Sequence, residues 1–265
     1  MLLSLITPFS YLYRSRRMLC ALTLTTLRTK YLGTTFGLVW VFLYPLFFLG
    51  IYGSVFAFIL KVRLAHQTTG EYILMLFAGL VPFLGFSEML SLSTVSVTSN
   101  RRLIKNTLFP LELIPVQAVF VSAVGNLVGL LMLICALLFN AGYSPLQLLI
   151  IPVLCLQLLF FCGVAWFFGS LAVGFRDLTQ LIGIFILLLM LGTPIGYNKD
   201  MIPERFLPLM YCNPLYHLTE LYRGFLLEGR IPWLELYTFT GIALVFFYGG
   251  YYFFQRLKGA ILEYV

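Results

Sequence analysis

Residues 113–175, LIPVQAVFVSAVGNLVGLLMLICALLFNAGYSPLQLLIIPVLCLQLLFFCGVAWFFGSLAVGF, contain no Asp, Glu, Lys or Arg. A helix needs about 20 apolar residues to cross about 30 Å of hydrocarbon, so this stretch is too long for one crossing. The turn-forming residues NAGYSP, at 140–145, divide it. The stretch therefore predicts two consecutive transmembrane helices, at about residues 114–139 and 147–171.

The whole chain has the composition of a membrane protein. Of its 265 residues, 61% are hydrophobic and 10% are charged, whereas a soluble domain has about half apolar and about a quarter charged residues. Four further charge-poor windows lie at about 37–60, 71–91, 178–196 and 236–255. We therefore predict an all-α integral membrane protein with six transmembrane helices, forming a single domain over residues 1–265.

The positions of Lys and Arg predict the orientation, because cations resist translocation. With both termini in the cytoplasm, eleven cations fall in the inner segments and six in the outer ones. There they contact anionic lipid headgroups, so the net charge of +7 does not indicate nucleic-acid binding. Residues 197–235 then form the last extracytoplasmic loop. Its short apolar pieces, broken by Pro208 and Pro214, predict short re-entrant helices, with a plain amphipathic surface loop as the alternative.

Residues 1–36 form a basic lead-in to the first span. Cations recur in it at helical spacing beside an apolar stripe, which predicts an amphipathic interface helix on the cytoplasmic surface. The interface cations are Arg14, Arg17, Arg28 and Lys30, and the stripe consists of Cys20, Leu24, Leu27 and Tyr31. Gly33 and Gly37 are expected to turn the chain into the first span.

Four segments carry a family resemblance. They are RTKYLGTTFGLVWVFLYPL at 28–46, NRRLIKNTLFPLELIP at 100–115, GFRDLTQLIGIFILLLMLGTPI at 174–195 and NPLYHLTELYRGFLLEG at 213–229. In this order they resemble membrane subunits of ABC-2 type transporters that export polysaccharides and lipid-linked glycans. The resemblance covers nearly the whole chain.

The resemblance implies that residues 100–115 hold a short coupling helix that sits in a cleft of a nucleotide-binding subunit. The implied coupling residues are Arg101, Arg102, Leu103, Ile104, Lys105, Phe109 and Pro110. Leu111 stands where the family frequently has Arg, so a charged grip on the partner falls to Arg101, Arg102 or Lys105. Charge alone would indicate only a solvated positive-inside loop.

The resemblance also implies a function: a channel-forming subunit of an ATP-driven exporter of lipid-linked polysaccharide in the bacterial inner membrane. O antigen is the first choice, and capsule polysaccharide and teichoic acid stay open. The chain has no GxxxxGK[ST] motif to cradle phosphate, so ATP and Mg would be bound by a separate subunit. The implied partners are a second copy of the chain, two ATP-binding cassette subunits and membrane lipids. We expect no catalytic residue, metal site or cofactor on this chain.

Aromatic rings in the spans are candidates for a glycan passage, because a flat ring can bind the apolar face of a sugar weakly. The candidates are Trp40, Tyr44, Phe48, Tyr52, Phe83 and Tyr197. Packing between helices, contact with lipid or interfacial belts are the alternatives. Glu88 is an acid within the second predicted span, which also begins with Glu71. It is expected near the inner end of that span, facing a cavity or the interface.

Arg176 and Asp177 mark the cytoplasmic turn between the fourth and fifth spans, where they can neutralise each other or cap a helix. Other functions stay open. An ABC-2 exporter of a drug or small lipid is the nearest alternative. A membrane-embedded glycosyl or phosphoryl transferase is an alternative of another class, although His66 and His217, the only histidines, lack the spacing of paired ligands.

Overall fold

The computed structural model describes residues 2–31, 33–59, 68–106, 109–140, 144–175, 177–197 and 201–264. Every regular element within these ranges is helical. The α-helices are α1 (Leu2–Arg14), α2 (Arg16–Tyr31), α3 (Trp40–Gly53), α4 (Thr69–Ser99), α5 (Arg101–Asn106), α6 (Leu113–Asn140), α7 (Ile150–Gly174), α8 (Leu178–Gly192), α9 (Leu207–Tyr211), α10 (Pro214–Arg223) and α11 (Trp233–Tyr264). Short 3-10 helices lie at Gly37–Val39, Pro145–Leu149 and Glu204–Phe206, and π-helical turns at Ser54–Ile59 and Gly224–Glu228.

Four of the described helical segments are long and apolar enough to cross a membrane. They are Gly37–Phe56, Thr69–Ser99, Leu113–Phe139 and Pro145–Gly174, which coincide with the first four predicted spans. Helix α8 is apolar but has only 15 residues. Helix α11 has 32 residues, but its interior is rich in Tyr and Gly, and it is not among the four. Length and composition thus confirm four of the six predicted spans.

Helix α4 is longer than its predicted span because polar residues extend it at both ends. At its start, Glu71 N–H donates to Thr68 Oγ1 at 3.3 Å, and Thr68 N–H donates to Glu71 Oε2 at 2.8 Å, a reciprocal capping box. Past residue 91, hydroxyl groups donate to carbonyls of the preceding turn, as Thr94 does to Leu90 at 2.7 Å. Glu88 therefore lies inside the helix, eleven residues before Ser99, rather than near its end.

The N-terminal segment comprises two helices. The predicted interface helix corresponds to α2, which packs on α6 through buried Leu19 and Thr23. The predicted apolar stripe lies beside this face, with Cys20 and Leu24 exposed. Helix α2 therefore has one side on the bundle and a second apolar side exposed.

The expected turn between α2 and α3 is confirmed. Gly33 and Gly37 have φ of +85° and +50°. Glycine adopts these left-handed values without the strain that a Cβ would add. The chain therefore changes direction at these two positions before the first span begins.

Helix α4 is the most buried of the four long apolar helices, and α3 is the least buried. Helix α4 contacts α3, α6, α7, α8 and α10, and α7 packs along α11. Small residues allow the second contact: a Cβ on Gly250 would lie 2.1 Å from the carbonyl oxygen of Gly163. Trp166, fully buried, fills the next turn against Phe247 and Tyr251, at ring distances of 5.4 and 5.2 Å. The core is therefore centred on α4, α7 and α11.

We expect Gly250→Ala to lower the free energy of unfolding by about 1–3 kcal/mol, because the new methyl group meets backbone that cannot give way without separating α7 from α11. Gly249→Ala is the matched control, since no atom lies within 4 Å of its Cβ position. It should leave stability unchanged or raise it slightly, because Ala favours helix. Thermal unfolding of both variants in detergent measures the difference, and equal melting temperatures would contradict the close contact.

Candidate functional site

The predicted coupling residues form a short knob between α4 and α6. In α5, Arg101 and Lys105 are exposed and lie one turn apart, while Ile104 is buried. The carbonyl of Asn100 accepts from Leu103 N–H at 3.0 Å and from Ile104 N–H at 3.2 Å, which fixes the first turn. Leu103, Phe109 and Pro110 are half-buried. Arg102 belongs to the helix, but its side chain lies outside the described residues. The knob thus presents two cations outward from an apolar anchor.

Glu112, just beyond this knob, joins three other helices. Its carboxylate accepts from Tyr11 Oη of α1 at 2.8 Å, and from Gln255 Nε2 and Lys258 Nζ of α11 at 2.9 and 2.7 Å. Its backbone carbonyl accepts from Trp166 Nε1 of α7 at 2.9 Å. The residue is only 2% exposed. Glu112 therefore connects the segment beyond the knob to α1, α7 and α11.

The electrostatics of Glu112 favour the charged form. Burial alone would raise the pKa of its carboxyl group, but hydrogen bonds from Lys258, from its own backbone N–H, from Tyr11 and from Gln255 hold the pKa below its ordinary value. The spacing of the sequence does not single out Glu112, which is simply the one acid in a basic segment. What does indicate a buried role for Glu112 is its position directly before the charge-free residues 113–175, because an acid beside a long apolar segment needs a partner.

An aromatic ladder follows one side of the first span. Tyr44, Phe48, Tyr52 and Phe56 recur every four residues, with successive ring centroids 4.9, 6.4 and 5.9 Å apart. The last two pairs are nearly parallel, at 17° and 11°. At the far end, Tyr52 and Phe56 line a cavity of about 310 Å³ together with Tyr197. Three of the predicted passage aromatics, Tyr44, Phe48 and Tyr52, thus lie in a row along one side of α3. A fourth, Tyr197, lines the cavity at the far end of this row.

The two other predicted passage aromatics lie elsewhere. Trp40 precedes the ladder at the start of α3, and its ring lies 6.4 Å from that of Phe47. Trp40 and Tyr44 both line a second cavity. Phe83 is 2% exposed in α4 and belongs to the packed core. Sequence reasoning could not separate it from the others, because both environments favour Phe.

The second cavity, of about 540 Å³, lies between α2, α3, α4 and α6. We call it the polar cavity; its polar lining includes Lys30, Glu88 and Asn126. Lys30 Nζ donates to Glu88 Oε1 at 2.5 Å. Burial alone would lower the pKa of Lys30, but the adjacent carboxylate raises it above its ordinary value. The pair thus joins an interface cation of α2 to an acid inside the span formed by α4.

The remaining predicted charges are not gathered at either cavity. Arg14, Arg17 and Arg28 are exposed. Arg176 lies outside the described residues. Asp177 occupies the N-cap position of α8, where its backbone carbonyl accepts from Gln180 and Leu181 N–H at 3.0 and 3.1 Å, but its side chain makes no capping bond.

Helix α10, which the sequence places in the outer loop, is inside the bundle, with residues 215–223 all buried. Arg223 Nη2 donates to the carbonyls of Pro194 and Ile195 at 2.5 and 2.8 Å, and its Nη1 donates to Glu220 Oε1 at 3.2 Å. In the orientation predicted from Lys and Arg positions, Arg223 and Glu220 belong to the outer loop and nothing marks them as buried. Their spacing of three residues on a helix is the signal for the pair.

Two further residues fix the start and the end of α10. Asn213 Oδ1 accepts from Leu215 N–H at 3.0 Å, and its Nδ2 donates to Thr193 Oγ1 at 3.0 Å, so one side chain caps α10 and holds the end of α8. Tyr222 Oη donates to Gln157 Oε1 of α7 at 2.6 Å. Among the described residues, no group of His, Cys, Asp or Glu side chains could hold a metal ion.

The sequence model of the ABC-2 type transporter family matches residues 17–227. The chain belongs to the ABC-2 type transporter family. This confirms the resemblance carried by the four sequence segments. The matched residues include α5, the aromatic ladder, the polar cavity and α10. Membership identifies a membrane protein and implies association with an ATP-binding subunit.

Relatives of this ABC-2 protein align over most of their length. A Klebsiella pneumoniae protein named O-antigen export system permease protein RfbA is 30% identical over 251 residues, which is 93% of this chain and 94% of the relative. A Myxococcus xanthus protein of the same name is 23% identical over 256 residues, covering 95% and 96%. The Escherichia coli polysialic acid transport protein KpsM is 26% identical over 238 residues, covering 84% and 90%.

We expect Glu112→Ala to lower the free energy of unfolding by about 1–3 kcal/mol, because it leaves the Tyr11 hydroxyl and the Lys258 ammonium without their buried acceptor. Thermal unfolding in detergent measures the loss. Glu263→Ala is the control, because it removes an exposed carboxylate from α11, the helix that carries Lys258. It should change stability by less than about 0.5 kcal/mol.

The charge of Glu112 gives this contribution a pH dependence. Because its folded pKa lies below the ordinary value, the stabilisation is present above the unfolded pKa, about 4.3, and is lost as the pH falls through the folded pKa. We expect the stability difference between the wild type and Glu112→Gln to be constant near neutrality and to shrink in acid. A difference that stays constant through the acid range would contradict the assignment.

Proposed function

We propose that the chain is the transmembrane, channel-forming subunit of an ATP-driven exporter that moves a lipid-linked polysaccharide from the cytoplasm across the bacterial inner membrane. O antigen is the first choice of cargo. The supporting observation is the aromatic ladder, which runs along one wall from the polar cavity to the cavity at Tyr197. Relatives named as permeases for O-antigen export point to the same class of cargo.

The proposed topology has six spans with both termini in the cytoplasm. Helix α8 and the central part of α11 would be the fifth and sixth spans. A helix of 32 residues is about 48 Å long at about 1.5 Å per residue, more than the hydrocarbon thickness. Residues 197–235 would form an extracytoplasmic gate loop, with α9 and α10 as short re-entrant helices. The burial of α10 supports this, because a surface loop would not bury residues 215–223.

In this proposal the ATPase subunit binds ATP and Mg and grips α5, and this chain carries no cofactor or catalytic residue of its own. The exposed cations of α5 would contact the ATPase subunit, and Glu112 would pass the movement to α1, α7 and α11. Two copies of the chain would pair with two ATPase subunits. The low burial of α3 supports a second copy beside it. Large apolar side chains are exposed there, namely Phe42, Leu46, Phe47 and Ile51.

Deletion of the gene should remove polysaccharide from the cell surface and cause lipid-linked glycan to accumulate inside the cell. Extraction of the lipid-linked fraction and surface staining measure the two pools, and re-expression of the chain is the control. Unchanged surface polymer would contradict the export role and would favour a drug or small-lipid exporter. Loss of polymer from both pools would favour a transferase.

Charge reversal of the knob, Arg101→Glu with Lys105→Glu, should uncouple ATP hydrolysis from export, because it replaces attraction to the partner with repulsion. We expect surface polymer to fall at least tenfold while the amount of permease in the membrane is unchanged. Arg16→Glu with Arg256→Glu is the matched control, since both residues are exposed and the change in charge is the same. Normal export and normal stimulated ATP hydrolysis in the knob variant would rule out α5 as the coupling helix.

A further inference from the structure

A groove between α4, α7, α8, α10 and α11 is lined almost wholly by apolar groups and has a volume of about 580 Å³. We call it the phenylalanine groove; its defining rings are Phe160, Phe167, Phe168, Phe185, Phe246 and Phe253. Asn213 is the one polar residue of its described lining, and both ends of that amide are bonded, to Leu215 N–H and Thr193 Oγ1. An apolar space of this kind does not hold water. The groove therefore suits an apolar occupant.

The groove is open on the side that faces away from the bundle. Val245 of α11 and Phe185 of α8 belong to its lining and are 70% and 40% exposed. Phe160 and Val164 of α7 also line it, but they are buried. The groove thus has a closed floor on α7 and an open side between α8 and α11. In a membrane, the group that meets this open side is a lipid chain.

The first turn of α10 closes one end of the groove. Asn213 and Pro214 belong to the lining, and Asn213 Nδ2 donates to Thr193 Oγ1, directly after α8. Residues 215–223 of α10 are buried behind this turn. The closed end therefore lies at the end of α8.

The end of α11 lies at the opposite end of the groove. The ring of Phe246 packs on that of Phe160 in α7, at 5.2 Å. Seven residues later, Phe253 packs on Phe167 at 4.7 Å. Helices α7 and α11 therefore run in the same direction. Because α7 is followed at once by α8, the end of α11 lies toward the start of α8, away from α10.

Arg256 lies at this second end. It follows Val245 by eleven residues, which is close to three helical turns, so it lies on the groove side of α11. It is exposed, and it forms no ion pair with any residue that the structure describes. Lys258, two residues further on, bonds to Glu112 beside the coupling knob. Arg256 is thus on the side of the membrane where the ATPase subunit is proposed to dock.

The length of the groove matches one leaflet of a bilayer. From Val245 to Arg256, α11 rises about 16 Å at about 1.5 Å per residue. Half of a hydrocarbon core of about 30 Å is about 15 Å. An acyl chain whose headgroup lies beside Arg256 would therefore end at the first turn of α10.

A phospholipid with net negative charge fits both parts of this site. Its acyl chain supplies the apolar occupant, and its phosphate supplies the missing partner of Arg256, since a guanidinium group pairs well with phosphate. We propose that the phenylalanine groove binds an acyl chain of an anionic phospholipid of the inner leaflet, with the headgroup paired to Arg256. One cation near the surface favours an anionic lipid by about 1 kcal/mol, which is about fivefold.

This lipid site goes beyond the proposed function, and only its assignment to the inner leaflet rests on the proposed topology. Helix α8 separates the groove from the aromatic ladder. Phe185 and Leu189 of α8 line the groove, whereas Met190 accepts a hydrogen bond from Tyr52 of the ladder. Because the groove is distinct from the proposed export route, loss of the lipid should leave export normal.

The test uses the permease assembled with its ATPase subunit in nanodiscs that contain phosphatidylcholine and phosphatidylglycerol. The anionic probe is phosphatidylglycerol with a diazirine on its acyl chain, and phosphatidylcholine with the same chain is the zwitterionic probe. After illumination, mass spectrometry locates the label. We expect phosphatidylglycerol to label α7, α8 and α11 at the groove about fivefold more than phosphatidylcholine does at the same concentration.

One variant tests the headgroup contact. Arg256→Gln removes the exposed cation and should lower the labelling by phosphatidylglycerol about fivefold, to the level of phosphatidylcholine. Arg28→Gln is the matched control, because it removes an exposed cation from α2, outside the groove. It should leave the labelling of the groove unchanged.

A second variant tests the groove itself. Gly249 belongs to the lining, and no atom lies within 4 Å of its Cβ position, so Gly249→Leu places a side chain in the groove without a clash of its Cβ. It should lower the labelling by both lipids. Gly241→Leu is the control, since Gly241 is exposed on the same helix with the same free space but is not part of the lining.

Three outcomes would overturn the proposal. Absence of label at the groove in the wild type would show that protein, such as a second copy of the chain, covers it. Equal labelling by the two lipids would remove the headgroup contact, and unchanged labelling in both variants would remove the site. Surface polymer separates this proposal from the export function: lost lipid preference with normal export is expected for Arg256→Gln, whereas polymer unchanged on gene deletion contradicts export alone.

Discussion

The guanidinium group of Arg223 is the buried charge on which the packing of α10 depends. An unpaired charge among apolar helices is very costly, so the surrounding chain has to supply acceptors. The carbonyls of Pro194 and Ile195 and the carboxylate of Glu220 do so, and a Cβ on Gly79 of α4 would lie 3.3 Å from Arg223 Nη2. The segment after α8 and the helix α10 are thereby fixed to the central helix. What looks like a connecting loop in the sequence is part of the core.

Glu112 is a second buried charge that joins several helices. Its carboxylate joins α1 and α11, and its carbonyl joins α7, just beyond the knob at α5. These bonds and the close contact of Gly163 with Gly250 hold α7 and α11 together, and α4 packs on α7. Helix α3 is the least buried span. The aromatic ladder is thus carried on the least buried of the four long apolar helices, beside the packed α4, α7 and α11.

Periodicity and charge predicted the parts of this structure that depend on local composition. The first four spans, the helix at residues 16–31 and the turn at Gly33 and Gly37 follow from charge-free length, helical spacing and glycine. The buried charges were not predictable in this way, because pairs such as Glu112 with Lys258 are distant in sequence. Contacts between distant segments also decide the environment of each ring: Tyr44 and Phe83 are both aromatic residues of predicted spans, yet Tyr44 lines a cavity and Phe83 is buried in the core. The family resemblance, which the match over residues 17–227 confirms, is what predicts a coupling role for residues 100–115, and that role stays a prediction.

A passage for a long polymer needs contacts that are favourable but nearly equal along its length, since a single strong site would hold the chain in place. The aromatic ladder has this character. Its rings repeat every four residues at separations of 4.9–6.4 Å, so a sugar that leaves one ring meets a similar one. In the proposed exporter, movement along the ladder would therefore depend little on which sugar follows.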